Sequence, residues 1–463
     1  MQQTRIKFFL MISKNVFGEL EAAMKRTFSL SLVTCLSFSL FAGCASSGAD
    51  SDEANNGVVT IQYWHTQTEE ERVAQLKSII KTFETQNPNI RVEQVPVPEE
   101  DFPSRVSAAL GADRLPAMIE GGIDQMLFLG SELVTDNALH EAVIDEIGKD
   151  TFYEGALNTM KAGGNQGYYG VPISGWVQGI WYNGKLFKEK GLEPPATWDN
   201  ILKAAQAFHA PDRQQYGIVV GTSKDDFTEQ TFSQFALSNE AQVFDQQGKV
   251  NFNSPEMLQA LSYYKELAKY TPPGSESWRE AREMYLSGRA PMVMYSSYLM
   301  GDLAENQELA ENTHFVVPEN KTKATYGEIT SLAVMNTISE QEREAAKRFT
   351  LFLTQKDINI KYLHMSPGGA NPTRAVIAED PAYLENEVLQ AYGPEAIKIA
   401  SSLDNLKRFG FVNGSMKPAM GDISAQFVIG EAVNSITERN VGLETAAQNA
   451  QDKMSKIARR STE

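Results

Sequence analysis

Val73, Leu76, Ile79, Ile80 and Phe83 recur at helical spacing among polar residues until Asn87-Pro88 closes the run, which predicts a long amphipathic helix. Just before it, Val58-Val59-Thr60-Ile61-Gln62-Tyr63-Trp64 is β-prone and stops at the polar break His65-Thr66-Gln67-Thr68. Ile90 to Val97 alternates apolar and polar positions as a strand does. Phe102 to Leu110 is helical again, and Gly111 then Pro116 lead into Ala117-Met118-Ile119-Glu120. The alternation predicts a mostly parallel sheet with helices on both faces. Further on, Tyr169-Gly170-Val171-Pro172-Ile173 reads as one strand and Ile180-Trp181-Tyr182-Asn183 as another. Ile201 to Phe208 reads as a helix and Gly217-Ile218-Val219-Val220 as a buried strand. In sheets of this kind ligands lie beyond the carboxyl ends of the strands, so the loops after Trp64 and Ile119 are site candidates on geometry alone.

The first fifty residues follow a different logic. Met24-Lys25-Arg26 starts a basic segment, an apolar run follows from Phe28 to Ala42, and Gly43-Cys44 ends it. A basic start, an apolar stretch of about 15 residues and a small-residue exit make a secretory signal over 1–43, too short for the roughly 20 residues of a membrane span. Nothing before Met24 has this pattern, so translation is expected to start there. Leu40-Phe41-Ala42-Gly43-Cys44 resembles a bacterial lipobox, with Phe41 where leucine is commoner. That resemblance implies lipid attachment at Cys44, with 44–56 as anchor and polar tether. Cys35 and Cys44 are the only cysteines, so the exported body has no thiol for a disulfide, a zinc knuckle or a nucleophile.

The body exceeds one ordinary hydrophobic core, which predicts two lobes. Setting aside the first 43 residues removes five basic and two acidic side chains; that leaves 37 against 57 and moves the net charge from -17 to -20. So acidic a surface disfavours nucleic acid and anionic membrane as partners.

Catalytic motifs are scarce. Gly179 to Leu186 nearly spells a P-loop but carries leucine where the magnesium-binding hydroxyl must stand. His65, His140, His209, His314 and His364 never pair at i, i+4, and neither GxSxG nor GxGxxG occurs. Two carboxylates facing each other across a cleft, as in glycosidases, remain the one open route to an enzyme. Aromatics say more: Trp64, Trp176 and Trp278 sit beside turn signals, where an aromatic face can stack on the C–H face of a sugar ring. Trp181 and Trp198, inside a strand and at a helix start, are assigned to the core.

In combination these motifs resemble the extracellular solute-binding proteins of bacterial sugar ABC transporters, the maltodextrin-binding type. The likeness begins at Ile61-Gln62-Tyr63-Trp64 and continues through Phe83 to Glu93. It is strongest from Tyr169 to Ile173, Ile180 to Leu192 and Pro194-Pro195-Ala196-Thr197-Trp198-Asp199. Tyr285 to Met292, with Pro291 where alanine is usual, and Gly368 to Arg374 complete it. The resemblance implies an α/β, two-lobed periplasmic-binding-protein fold (type II) with the ligand in the cleft between lobes. Lobe 1 would comprise 57–167 with 319–372, and lobe 2 would comprise 168–318 with 373–463. Implied cleft residues are Trp64, His65 and Thr66; Glu120, Asp124 and Gln125; Ser174 and Trp176; Trp278; Ser297 and Tyr298; Tyr326 and Glu328; and Arg374. It further implies a monomer without cofactor, catalytic residue or metal, exported to the periplasm or the outer face of the cell membrane. Its partners would be a small ligand, expected to be a carbohydrate, and the transmembrane subunits of an ABC permease, with the lipid anchor as the one membrane contact. Ligand binding would drive lobe closure. The same fold holding an osmolyte, a polyamine or a peptide fragment, and a surface glycosidase or glycan adhesin, are the competing readings.

Overall fold

The computed structural model describes residues 57–460 apart from position 413; the signal segment, Cys44 and the tether lie outside the described residues. Seven strands form one sheet: β1 (Val59–His65), β2 (Ile90–Pro96), β3 (Met118–Gly121), β4 (Val171–Asn183), β5 (Met292–Ser296), β6 (Thr313–Val316) and β7 (Tyr326–Val334). Their order is β2-β1-β3-β7-β4-β5, with β6 also paired to β4. The helix Glu70–Gln86 connects β1 to β2 and buries Leu76, Ile79, Ile80 and Phe83, the stripe expected from its period. Asn87 ends it, its backbone and side-chain amides both donating to Phe83 O.

Only part of the sheet is parallel. β1 runs parallel to β2 and β3, but β3–β7, β7–β4, β4–β5 and β4–β6 are antiparallel. The expectation of a mostly parallel sheet is therefore corrected, and the cause lies in the chain path. β4 leaves the β1–β3 region, the chain builds 184–325, and β7 returns alongside β4 in the opposite direction.

Two further expectations change. Tyr169–Ile173 and Ile180–Asn183 do not form separate strands; one 13-residue strand runs through both. Gly175, within it, lies where β7 passes close: a Cβ on it would lie 2.7 Å from Glu328 O. β4 changes partner along its length, pairing with β7 over Val171–Gln178 and with β5 over Gln178–Tyr182. The segment 217–220 is buried but pairs only through the bridge Val219–Val293, in which Val219 N donates to Met292 O; the amides of Gly217 and Ile218 donate to Tyr270 O instead. Thr197 caps Trp198–Phe208, its hydroxyl accepting from Asn200 N at 3.3 Å.

Strand alternation feeds two cores. On β4 and β5, Ile180, Tyr182, Met292 and Met294 pack with Phe232, Phe235, Tyr264 and the C-terminal helices Val428–Thr437 and Leu443–Arg460. Trp181, Val293 and Tyr295 point the other way, into a larger core continuous with β1–β3 and with residues 377–406. Trp181 and Trp198 are both buried, as assigned. Beside the β4–β7 pair runs a third segment: Leu406 bridges Thr325 in parallel, Thr325 N donates to Asn405 O, and Lys407 N donates to Thr325 O. Three stretches thus lie side by side where the β1–β3 and β5–β6 parts of the sheet meet.

Candidate functional site

In the β4–β7 ladder Trp176 lies opposite Glu328, and Gln178 opposite Tyr326. Val177, between Trp176 and Gln178, and Ile329, next to Glu328, are fully buried in the core. The period of two therefore places Trp176, Gln178, Tyr326 and Glu328 on one shared face. The Trp176 ring lies 5.8 Å from that of Tyr326 and 6.4 Å from that of Tyr298, making an aromatic strip. Glu328 turns one carboxylate oxygen onto the backbone N–H of Ile123, at the start of the helix Ile123–Ser131 that follows β3. Gln125 stands beside it: a Cβ on Gly122 would sit 2.9 Å from Glu328 Oε1 and 3.0 Å from Gln125 Oε1.

Arg408 organises this face. Carried next to β7 by the Thr325–Leu406 bridge, it donates to Glu328 Oε2 at 3.2 Å and Gly327 O at 3.3 Å. It also lies 3.8 Å from Asp124 Oδ1, with its guanidinium 4.6 Å from the centre of the Tyr326 ring. Asp124, Tyr326 and Arg408 form one wall of a cavity of about 540 Å³. Asp226, Glu229 and Gln230, on the helix Asp226–Ser238, form another. Met416, Met420, Gly421, Ser424, Ala425 and Phe427 complete the lining. Burial raises the Glu328 carboxyl to about 7, against the pull of Arg408 and with the push of Asp124. Burial likewise raises Glu229 to about 7, opposed by the Ser424 hydroxyl and Arg408 and assisted by Asp124 and Asp226. Gln178 is held from behind by Gln234, whose Nε2 donates to its Oε1 at 2.6 Å.

A second polar group surrounds Glu120. The buried Glu120 accepts a hydrogen bond from the Tyr63 hydroxyl and another from Gln67 Nε2 at 3.3 Å. Gln67 in turn accepts from Arg72 at 3.3 Å. Burial, then the Glu120 charge, pushes the Tyr63 hydroxyl well above its ordinary value.

The implied cleft residues divide accordingly. Asp124, Gln125, Trp176, Tyr298, Tyr326 and Glu328 are gathered on the aromatic and carboxylate face. Ser174 is buried on β4, and Thr66 is half-buried at the end of β1. Others sit elsewhere. Trp64 is buried under the guanidinium of Arg105, 4.8 Å from its ring centre, and the buried His65 ring lies 3.1 Å from Gln94 Oε1 towards β2. Ser297 ties elements together, donating to Gly368 O at 2.6 Å and accepting from Asn371 Nδ2 at 3.0 Å. Arg374 is buried against Thr354 O, its guanidinium over the Phe152 ring. Trp278 opens the helix Trp278–Leu286, 45% exposed, with the Arg279 guanidinium 5.0 Å from its ring centre. Sequence reasoning missed Arg408, Gln178, Glu229 and Gln230. Nothing in Leu406-Lys407-Arg408-Phe409 marks the arginine, and the other three lie inside ordinary strand and helix patterns.

Among the described residues no group of three His, Cys, Asp or Glu side chains is placed to hold a metal ion. No described helix is long and apolar enough to cross a membrane.

This architecture is the α/β periplasmic-binding-protein fold. It superposes on the cyclic alpha-maltosyl-1,6-maltose binding protein from Arthrobacter globiformis with a TM-score of 0.72 at 17% identity, covering 87% of this chain and 100% of that one. An ABC transporter solute binding protein from Agrobacterium vitis S4 with bound D-mannitol gives 0.61 at 20% identity, covering 87% and 99%. Residues 67–360 match the family described as bacterial extracellular solute-binding protein, and the chain belongs to that family. The putative ABC transporter periplasmic-binding protein YcjN of Escherichia coli strain K12 is 34% identical over 426 residues, 92% of this chain and 96% of that protein. The chain is thus an extracellular or periplasmic solute-binding protein of the ABC-transporter type, and not an enzyme.

Proposed function

We propose that this protein captures a sugar, a polyol or a small oligosaccharide by closure of two lobes and delivers it to a membrane permease. The observation that carries the reading is the aromatic strip Trp176–Tyr326 set beside Glu328, Arg408 and Asp124 at the edge of one cavity of about 540 Å³. Carbohydrates and polyols have that dual character, with C–H faces for the rings and hydroxyls for charged and amide groups. The maltosyl and mannitol ligands named for the two structural relatives support the same class. The lobes are read as 57–167 with 319–372 and 168–318 with 373–463, flexing where β4, β7 and the 405–408 segment run side by side. Cys44 is read as the lipid attachment site, and replacing it with alanine should abolish incorporation of a labelled fatty acid into the expressed protein.

A thermal-shift screen of the purified protein against mono-, di- and oligosaccharides, alditols and polyamines tests the ligand class. Ligand at a hundred times its Kd should stabilise the fold by about 2.7 kcal/mol through mass action. In Trp176→Ala the same ligand should bind more weakly by about 1–3 kcal/mol, measured by calorimetry. Shifts with polyamines alone would replace the carbohydrate reading with a cationic solute.

A further inference from the structure

Charges around the cavity do not balance. Asp124, Asp226 and Glu229 line it, Glu328 stands just behind, and Arg408 is the one cationic side chain among the described lining residues. Arg408 is already engaged, paired with Glu328 and Asp124 and lying over Tyr326. Asp226 receives only a long bond from Gln230 Nε2, at 3.4 Å. Glu229 is the sharper case. It is 8% exposed; its Oε1 accepts from Ser424 Oγ at 2.7 Å, and its Oε2 is buried with no hydrogen-bond partner. A buried carboxylate oxygen without a donor is costly whether the group is charged or protonated. Folding alone therefore leaves that oxygen unsatisfied, on a side chain that lines a space large enough for a ligand.

From this geometry we infer that the cavity is adapted to a carbohydrate or polyol carrying an amine, whose ammonium group is received by Glu229 and Asp226. The inference rests on the carbohydrate reading above and narrows it. A hydroxyl would give Glu229 one neutral donor. An ammonium group gives a charge-assisted bond, roughly twice as strong, and offsets the excess negative charge. Phe427 supplies an apolar rim to the same cavity. It is a non-glycine residue at φ 51°, half-exposed, and such backbone strain accumulates where a ligand is held.

The test is calorimetry on the purified protein with matched pairs that differ only by amine in place of hydroxyl, at one carbon of each sugar or polyol unit. The pairs are glucose and glucosamine, the disaccharides cellobiose and its diamino analogue chitobiose, and sorbitol and its 1-amino derivative. At least one amine should bind about tenfold more tightly than its partner, a difference of about 1.4 kcal/mol. Glu229→Gln, and independently Asp226→Asn, should erase that preference, with melting temperature checked to show that each variant is folded. A neutral sugar or polyol that binds as well as every amine overturns the inference and leaves the proposed function standing. A preference that survives both substitutions also overturns it. If no carbohydrate or polyol of either kind binds, the proposed function falls with it.

Discussion

At the scale of single residues, the site depends on a guanidinium that does several things at once. Arg408 reaches Glu328, Gly327 O, Asp124 and the Tyr326 ring, and a planar fork can satisfy these together where a point charge cannot. Arg408→Lys should therefore weaken ligand binding nearly as much as Arg408→Gln, by about 2 kcal/mol or roughly thirtyfold. Calorimetry with any ligand found by the thermal screen checks this, and full rescue by lysine would contradict it. His140 shows the opposite use of a polar residue, as structure alone. Its Nδ1–H donates to Tyr168 O at 2.8 Å and its Nε2 accepts from Val334 N–H at 2.8 Å, which fixes the neutral ring deep in the core. Burial lowers it to about 4. In the sequence it was one histidine among five, and neither role could be read from its neighbours.

Elements were legible where their signal is local. Helix Glu70–Gln86 and strand Ile90–Pro96 follow the periodicities of their own residues, and Thr197 caps the helix that its Pro-Pro-x-Thr-Trp context announces. The β4–β7 pair was not legible, because its register is set by contacts between residues about 150 positions apart, which no local pattern encodes. Glycines record that close approach. A Cβ on Gly327 would stand 2.3 Å from Trp176 O, so Gly327→Ala should force the strands apart. Overpacking of this kind costs about 1–3 kcal/mol. The midpoint of urea unfolding should fall, and ligand affinity with it, because Trp176 and Glu328 sit on the displaced strands. Unchanged affinity in a destabilised variant would separate the ladder from the site.

For the whole molecule, closure and charge both have measurable consequences. Binding that draws the lobes together should lower the radius of gyration in small-angle X-ray scattering once ligand saturates; tight binding at constant radius would count against closure. Acid response is a balance of opposing groups. His140, held near 4 when folded and 6.5 when free, stabilises the fold above 6.5 and loses that contribution as pH falls towards 4. Its loss is about 2 kcal/mol at pH 5. Glu229, Glu276 and Glu328, raised by burial to about 7 from 4.5, work the other way, favouring the fold below 4.5 and losing that contribution as pH rises through 7. Three raised carboxyls outweigh one depressed imidazole, so the stability of the native protein, from denaturation midpoints, should fall as pH rises from 4.5 to 7. The fall should be steeper in His140→Gln, which lacks the opposing histidine; an identical slope in both proteins would exclude that contribution. The sequence by itself determined the alternation of strands and helices, the burial of Trp181 and Trp198, and the family, because these rest on local periodicity and on motifs in a recognisable order. Only the tertiary structure decided strand direction in half the sheet, the burial of Trp64, His65 and Arg374 away from the cavity, and the meeting of Arg408 with Glu328 and Asp124. Those outcomes depend on which distant segments the chain path brings side by side, and the free energy that selects that path is spread over the whole packed core.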